Sequence, residues 1–151
     1  TVSLWVKLTD SDNSSFEIIL SDETSNPEDF QTKLSLSLQN SSGILSYTFD
    51  SGTQFNFTST TLTPTPQEFY FIQYKYRSDG FVVVKANNQT IATRKINSSP
   101  NSSNSISVGG RSKSSSLSPF TGIIDNLFFI NGQTSDNVDT LLYNDGDGLE
   151  F

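Results

Sequence analysis

Cysteine, histidine and methionine are absent from this 151-residue chain, and tryptophan occurs once. Without thiolate or imidazole there is no ligand set for zinc, copper or haem, no cysteine nucleophile, no Ser-His-Asp triad and no disulfide. Cations are also scarce. Nine Lys and Arg stand against sixteen Asp and Glu, giving a net charge of −7 and a pI near 4.3. That balance argues against nucleic acid, whose phosphates are bound by neutralising them, and against anionic membrane surfaces. No run of eighteen apolar residues exists, so no membrane-inserted helix is expected, and no charged segment followed by an apolar one opens the chain. A start at Thr1 rather than Met reads as a processed or trimmed polypeptide. The length fits one domain, residues 1–151, large enough to bury on the order of two-thirds of its surface.

What is abundant is polar and uncharged: 26 Ser, 16 Thr and 13 Asn. Such residues suit loops and the outward faces of strands. Alternation with a period of two is clear in VSLWVKL (2–8), where Val2, Leu4, Val6 and Leu8 share one face, and in KLSLSLQ (33–39). Further strands are expected at 16–20, 44–49, 54–58, 68–77, 81–86, 90–96, 105–109 and 122–130. Asn40 to Gly43, Ser78-Asp79-Gly80 and Asn87-Asn88 carry turn chemistry, so residues 68–96 read as a three-stranded meander. One helical pattern survives, near 136–143. Ser135 or Asp136 caps it, and Val138, Leu141 and Leu142 are expected to share a face. Segments 58–67, 97–105 and 111–119 read as exposed loops, since strands resume after each. The fold class is therefore all-β, with two antiparallel sheets packed as a sandwich and a single short helix.

Three stretches, taken in order, resemble the concanavalin A-like, laminin-G-like jelly-roll domains. They are SLWVKL (3–8), the hairpin segment 68–95, and ISVGGRS (106–112) followed by residues 119–148, in which Gly122, Ile124, Asp125 and Leu142-Tyr143-Asn144 match the family's closing strand, helix and L-Y-N motif. The resemblance implies a jelly roll. It also implies a further strand ahead of the S-x-W-V strand, at which this chain already begins, so the domain is expected to lack its first strand or to receive it from another segment or subunit.

Each candidate site also has a purely structural reading. Glycoside hydrolases of this fold resemble E-x-D-x-E on one strand, and no such triplet occurs; Glu17 and Asp125 are single carboxylates on distant strands, so no catalytic residue is assigned and no enzyme is expected. Calcium is the one cofactor considered. Asp145, Asp147 and Asp125 are its candidate ligands, although no complete calcium loop is present and Asp/Gly stretches equally make turns. Trp5 alternates away from the apolar face of its strand, which makes it a candidate ligand or partner contact unless a neighbouring segment covers it. Six sequons, at Asn13, Asn40, Asn56, Asn88, Asn97 and Asn101, exceed the chance supply of about 3.6 and are expected glycosylation sites on an extracellular or cell-surface protein.

Two functions follow. The first is a non-catalytic, glycosylated structural or adhesive building block of a surface filament or coat. Its partners would be other copies of itself or neighbouring chain segments, joined by strand donation into pockets lined by Leu4, Val6, Ile124 and Phe128. The alternative is a glycan-binding, lectin-like module.

Overall fold

The structure is a computed structural model that describes residues 1–8, 17–22, 35–39, 43–50, 53–58, 67–95, 106–109 and 120–144. Ten strands and one helix follow in order: β1 (Val2–Leu8), β2 (Glu17–Asp22), β3 (Ser35–Gln39), β4 (Gly43–Asp50), β5 (Thr53–Thr58), β6 (Phe69–Tyr76), β7 (Phe81–Ala86), β8 (Gln89–Lys95), β9 (Ile106–Val108), β10 (Gly122–Phe129) and α1 (Asp136–Tyr143). Every strand stands where alternation and turn chemistry place one, within two residues at either end. The strands form two five-stranded antiparallel sheets, in the orders β10-β1-β6-β7-β8 and β5-β4-β3-β2-β9.

The two sheets meet over one apolar layer. Val2, Leu4 and Val6 of β1, Tyr70, Ile72 and Tyr74 of β6, and Val82, Val84 and Ala86 of β7 pack with Ile19 and Leu20 of the opposite sheet. Leu4, Val6, Ile72, Val82 and Val84 are fully buried, as the period-two reading requires. A register shift between Ile18 and Leu20 accompanies the burial of two successive residues, Ile19 and Leu20. The first sheet is buried on its other face too. There Trp5 and Phe71 pack under Leu142 of α1, with Phe128, Ile130 and Tyr143 around them.

Turn chemistry is carried by left-handed backbone. Asn87 (φ 46°) and Asn88 (φ 60°) make the two-residue β7–β8 turn, and Gly80 (φ 82°) makes that between β6 and β7. Asn87 does more than supply φ. Its Oδ1 accepts the Phe71 N–H at 2.9 Å while its own N–H donates to Phe71 O at 2.8 Å, which prolongs the β6–β7 ladder by a side chain.

Three expectations are corrected. The flanks of β1 are both occupied, by β10 and by β6, so a donated strand cannot pair beside residues 2–8 and only the closing strand, β10, stands at the sheet edge; the surfaces of Leu4 and Val6 are already filled from within the chain. Phe128 does not join Ile124 in the inter-sheet core. A bulge opposite Leu4, with Asn126 at φ 47°, turns Leu127 toward Ile124's side and sends Phe128 to the helix-covered face. The buried face of α1 also differs from its apolar reading: Val138 and Leu141 are exposed, whereas Asp139 and Leu142 are buried. The helix docks on a face that presents lysines, and a carboxylate turned inward meets them.

Candidate functional site

The outer face of the β1–β6–β7–β8 sheet collects most of the described polar chemistry. Alternation puts Gln73, Lys75 and Arg77 of β6 and its following turn on this face, with Phe81, Val83 and Lys85 of β7 and Thr93 and Lys95 of β8 beside them. Four of the chain's nine cations, Lys75, Arg77, Lys85 and Lys95, therefore lie on three adjacent strands of an acidic protein.

The helix closes half of this face. Ser135 caps it, its Oγ accepting the Val138 N–H, and Asn144 ends it in the left-handed conformation, its N–H donating to Thr140 O. Asp139 then points into the sheet and is fully buried. Its Oδ2 accepts from Lys75 Nζ at 2.5 Å and Lys85 Nζ at 2.6 Å, and its Oδ1 accepts from Thr134 Oγ1 at 2.6 Å and Gln73 Nε2 at 3.1 Å. Four donors on one carboxylate leave little of it unsatisfied, the condition under which a buried charge is tolerated. Burial alone would raise the Asp139 carboxyl. The hydrogen bonds from Lys75, Lys85 and Thr134 outweigh it and hold the group below its ordinary value of 3.8. For Lys85, burial pulls the amine down, but Asp139 and then Asp136 overcome it and hold it above 10.5. Thr1 fastens the approach to the helix, its Oγ1 donating to Gly132 O and accepting the Thr134 N–H.

Trp5 lies in the covered half. It faces away from the inter-sheet core as alternation predicts, but it is only 6% exposed. Its ring stacks on Tyr143 at 5.8 Å and 9° and packs against Phe71 at 5.2 Å. The helix is the segment that covers it, so Trp5 presents no free face to a sugar.

The other half of the face is open. Beyond the helix, Arg77, Phe81 and Lys95 form one row across β6, β7 and β8: Arg77 N donates to Phe81 O, and Phe81 pairs with Lys95. The Arg77 guanidinium sits 5.7 Å from the Phe81 ring centre and the Lys95 ammonium 5.9 Å from it. Arg77 also binds Asp79 of the adjoining turn at 2.6 Å, an exposed pair. Sequence reading passed over this row, because its members lie far apart in the chain and only strand register brings them together.

The remaining candidates are scattered. Asp125 is exposed at the β10 bulge, where its Oδ1 accepts the Asn126 N–H. Asp145 and Asp147 lie outside the described residues, and among the described residues no three carboxylates gather to hold a metal. Asn88 occupies the β7–β8 turn and Asn56 lies in β5, while Asn13, Asn40, Asn97 and Asn101 lie outside the described residues. Among the described residues no helix is long and apolar enough to cross a membrane.

A sequence profile described as the concanavalin A-like lectin/glucanases superfamily matches residues 1–137. The chain belongs to that superfamily. No curated protein matches it by sequence. Among solved structures it is similar to the CBM40 module of the Ruminococcus gnavus IT-sialidase, at TM-score 0.73 and 15% identity over 91% of this chain and 78% of that one. That module has also been solved bound to α2,6-sialyllactose, where the likeness has the same TM-score. A heptameric SAP-like pentraxin from Limulus polyphemus matches at TM-score 0.64 and 13% identity, over 93% and 67% of the two chains. The NanB sialidase of Streptococcus pneumoniae matches at TM-score 0.72 and 15% identity, over 92% of this chain but 23% of that enzyme. At these identities the likeness establishes the jelly-roll sandwich and not the ligand.

Proposed function

We propose that this domain is a non-catalytic, glycan-binding, lectin-like module. The observation that carries the reading is the likeness, across 91% of the chain, to a CBM40 module solved with sialyllactose bound. Superfamily membership supports it, and so does the chemistry of the described carboxylates: Asp139 and Asp136 are engaged by lysines and Asp79 by Arg77, which is structural use rather than an acid and base set across a scissile bond.

The building-block reading calls for a donated strand beside β1 or the closing strand; both flanks of β1 are taken from within the chain, whereas β10 is an edge of its sheet. An extracellular or cell-surface location, with sugar on some of the six sequons, fits a glycan reader; of the two described acceptors, Asn88 lies in a turn and Asn56 in a strand. Digestion of native protein with a glycosidase specific for N-linked sugars checks this by a fall in mass.

Binding is tested by applying the domain to an array of neutral and acidic oligosaccharides. Saturable retention on a defined subset supports the proposal. Absence of retention on every glycan, with the domain folded by circular dichroism, overturns it.

A further inference from the structure

We propose that the Arg77–Phe81–Lys95 row is the ligand-contacting surface of this module and that it selects saccharides bearing a carboxylate. The inference rests on the glycan-binding reading and deepens it by naming the site and the substrate class.

Charge placement is the first argument. The chain carries net charge −7, yet four of its nine cations, Lys75, Arg77, Lys85 and Lys95, share one sheet face. The helix neutralises the inner pair, Lys75 and Lys85, through Asp139 and Asp136. The outer pair is treated differently. Among the described residues Arg77 has one carboxylate partner, Asp79, and Lys95 has none. Among the described residues the row therefore holds two cations and one counter-charge, and like charges near a single ring repel unless an anion joins them.

Geometry supplies the second argument. With both cations within 6 Å of one ring, an anion seated beside Phe81 would lie in the field of both. The guanidinium retains donors beyond the arm bonded to Asp79. A carboxylate presents two oxygens in one plane, which suits an Arg fork on one side and an ammonium on the other. The half-buried Phe81 ring offers apolar surface at the same place for the C–H face of a sugar, so a charged group and a hydrocarbon face can be held together. A neutral sugar would satisfy the ring and leave both cations without a counter-ion. The row is also free of the helix that seals Trp5, since α1 is anchored above Lys75 and Lys85 at the inner end.

Isothermal titration of the wild-type domain with 3′-sialyllactose and with lactose, followed by the same titrations of Lys95→Glu and Phe81→Ala, tests the assignment. The expected result is binding of sialyllactose at least tenfold tighter than lactose, weakening as salt is raised, with a loss of tenfold or more in Lys95→Glu. Asp136→Asn, outside the row, should bind as wild type does. Phe81→Ala should weaken binding while the far-ultraviolet spectrum is kept; Lys95 is exposed, so its charge reversal does not threaten folding and carries the test if Phe81→Ala unfolds. Equal affinity for lactose, or wild-type affinity in Lys95→Glu, would overturn the inference and leave the glycan-binding proposal standing. Failure to bind either sugar, together with a blank oligosaccharide array, would overturn both.

Discussion

Lys75 of β6 and Asp139 of α1, 64 positions apart in the chain, meet at 2.5 Å with both side chains almost wholly withdrawn from water. The contact joins the helix to the sheet, and with Lys85 it makes Asp139 the centre of a buried charge cluster. Removing one partner of such a pair strands the other charge, at a cost of about 3–5 kcal/mol. Asp139→Asn is therefore expected to lower the free energy of unfolding by that order in urea denaturation. Among the described residues the Asp136 carboxylate, 93% exposed, pairs with Lys85 alone, so Asp136→Asn should change stability little. Equal effects of the two substitutions would contradict the assignment of Asp139 as the anchor.

The same cluster sets a pH dependence with two arms. Asp139 has its folded value held below 3.8, so its stabilisation is present above that pH and is lost as pH falls through the lower folded value. Lys85 is held above 10.5, so its stabilisation is present below that pH and is lost as pH rises through the higher folded value. Stability measured in urea from pH 2 to 11 should show a plateau between the arms. Asp139→Asn should flatten the acid arm and most of the alkaline one, because Asp139 is the leading stabiliser of the Lys85 ammonium.

Gly122, at the start of β10, is required by space. A Cβ there would lie 2.2 Å from Lys7 O and 2.6 Å from the Phe120 ring, closer than real atoms approach. Gly122→Ala should cost about 1–3 kcal/mol by overpacking, or more if the β1–β10 ladder must part. Gly132 differs: nothing lies within 4 Å, but its φ is +95°. Gly132→Ala is expected to cost about 1–2 kcal/mol through backbone strain alone. Denaturant midpoints of the two variants check both values.

Local rules carried most of the fold. The alternation of Val2, Leu4 and Val6, the Asn87-Asn88 turn and the Ser135 cap each act within a few residues, and each is found where those rules put it. What they could not carry was long-range. Asp139 reads as one more solvated acid on a short helix until the sheet places Lys75 and Lys85 beneath it. Trp5 reads as an exposed platform until Leu142 and Tyr143 arrive above it. The Asn126 bulge, which reassigns Phe128, has no strong local mark, since a left-handed Asn is only one way to fill that position. The Arg77–Phe81–Lys95 row depends on two strand registers at once.

One measurement bears on the central claim most directly: amide and indole chemical shifts of the isotope-labelled domain during titration with 3′-sialyllactose. The account predicts concentration-dependent shifts concentrated at residues 76–82 and 93–95, with the Trp5 indole N–H, sealed under α1, essentially unmoved. Shifts centred on Trp5 and α1, or none at any sugar concentration, would contradict it.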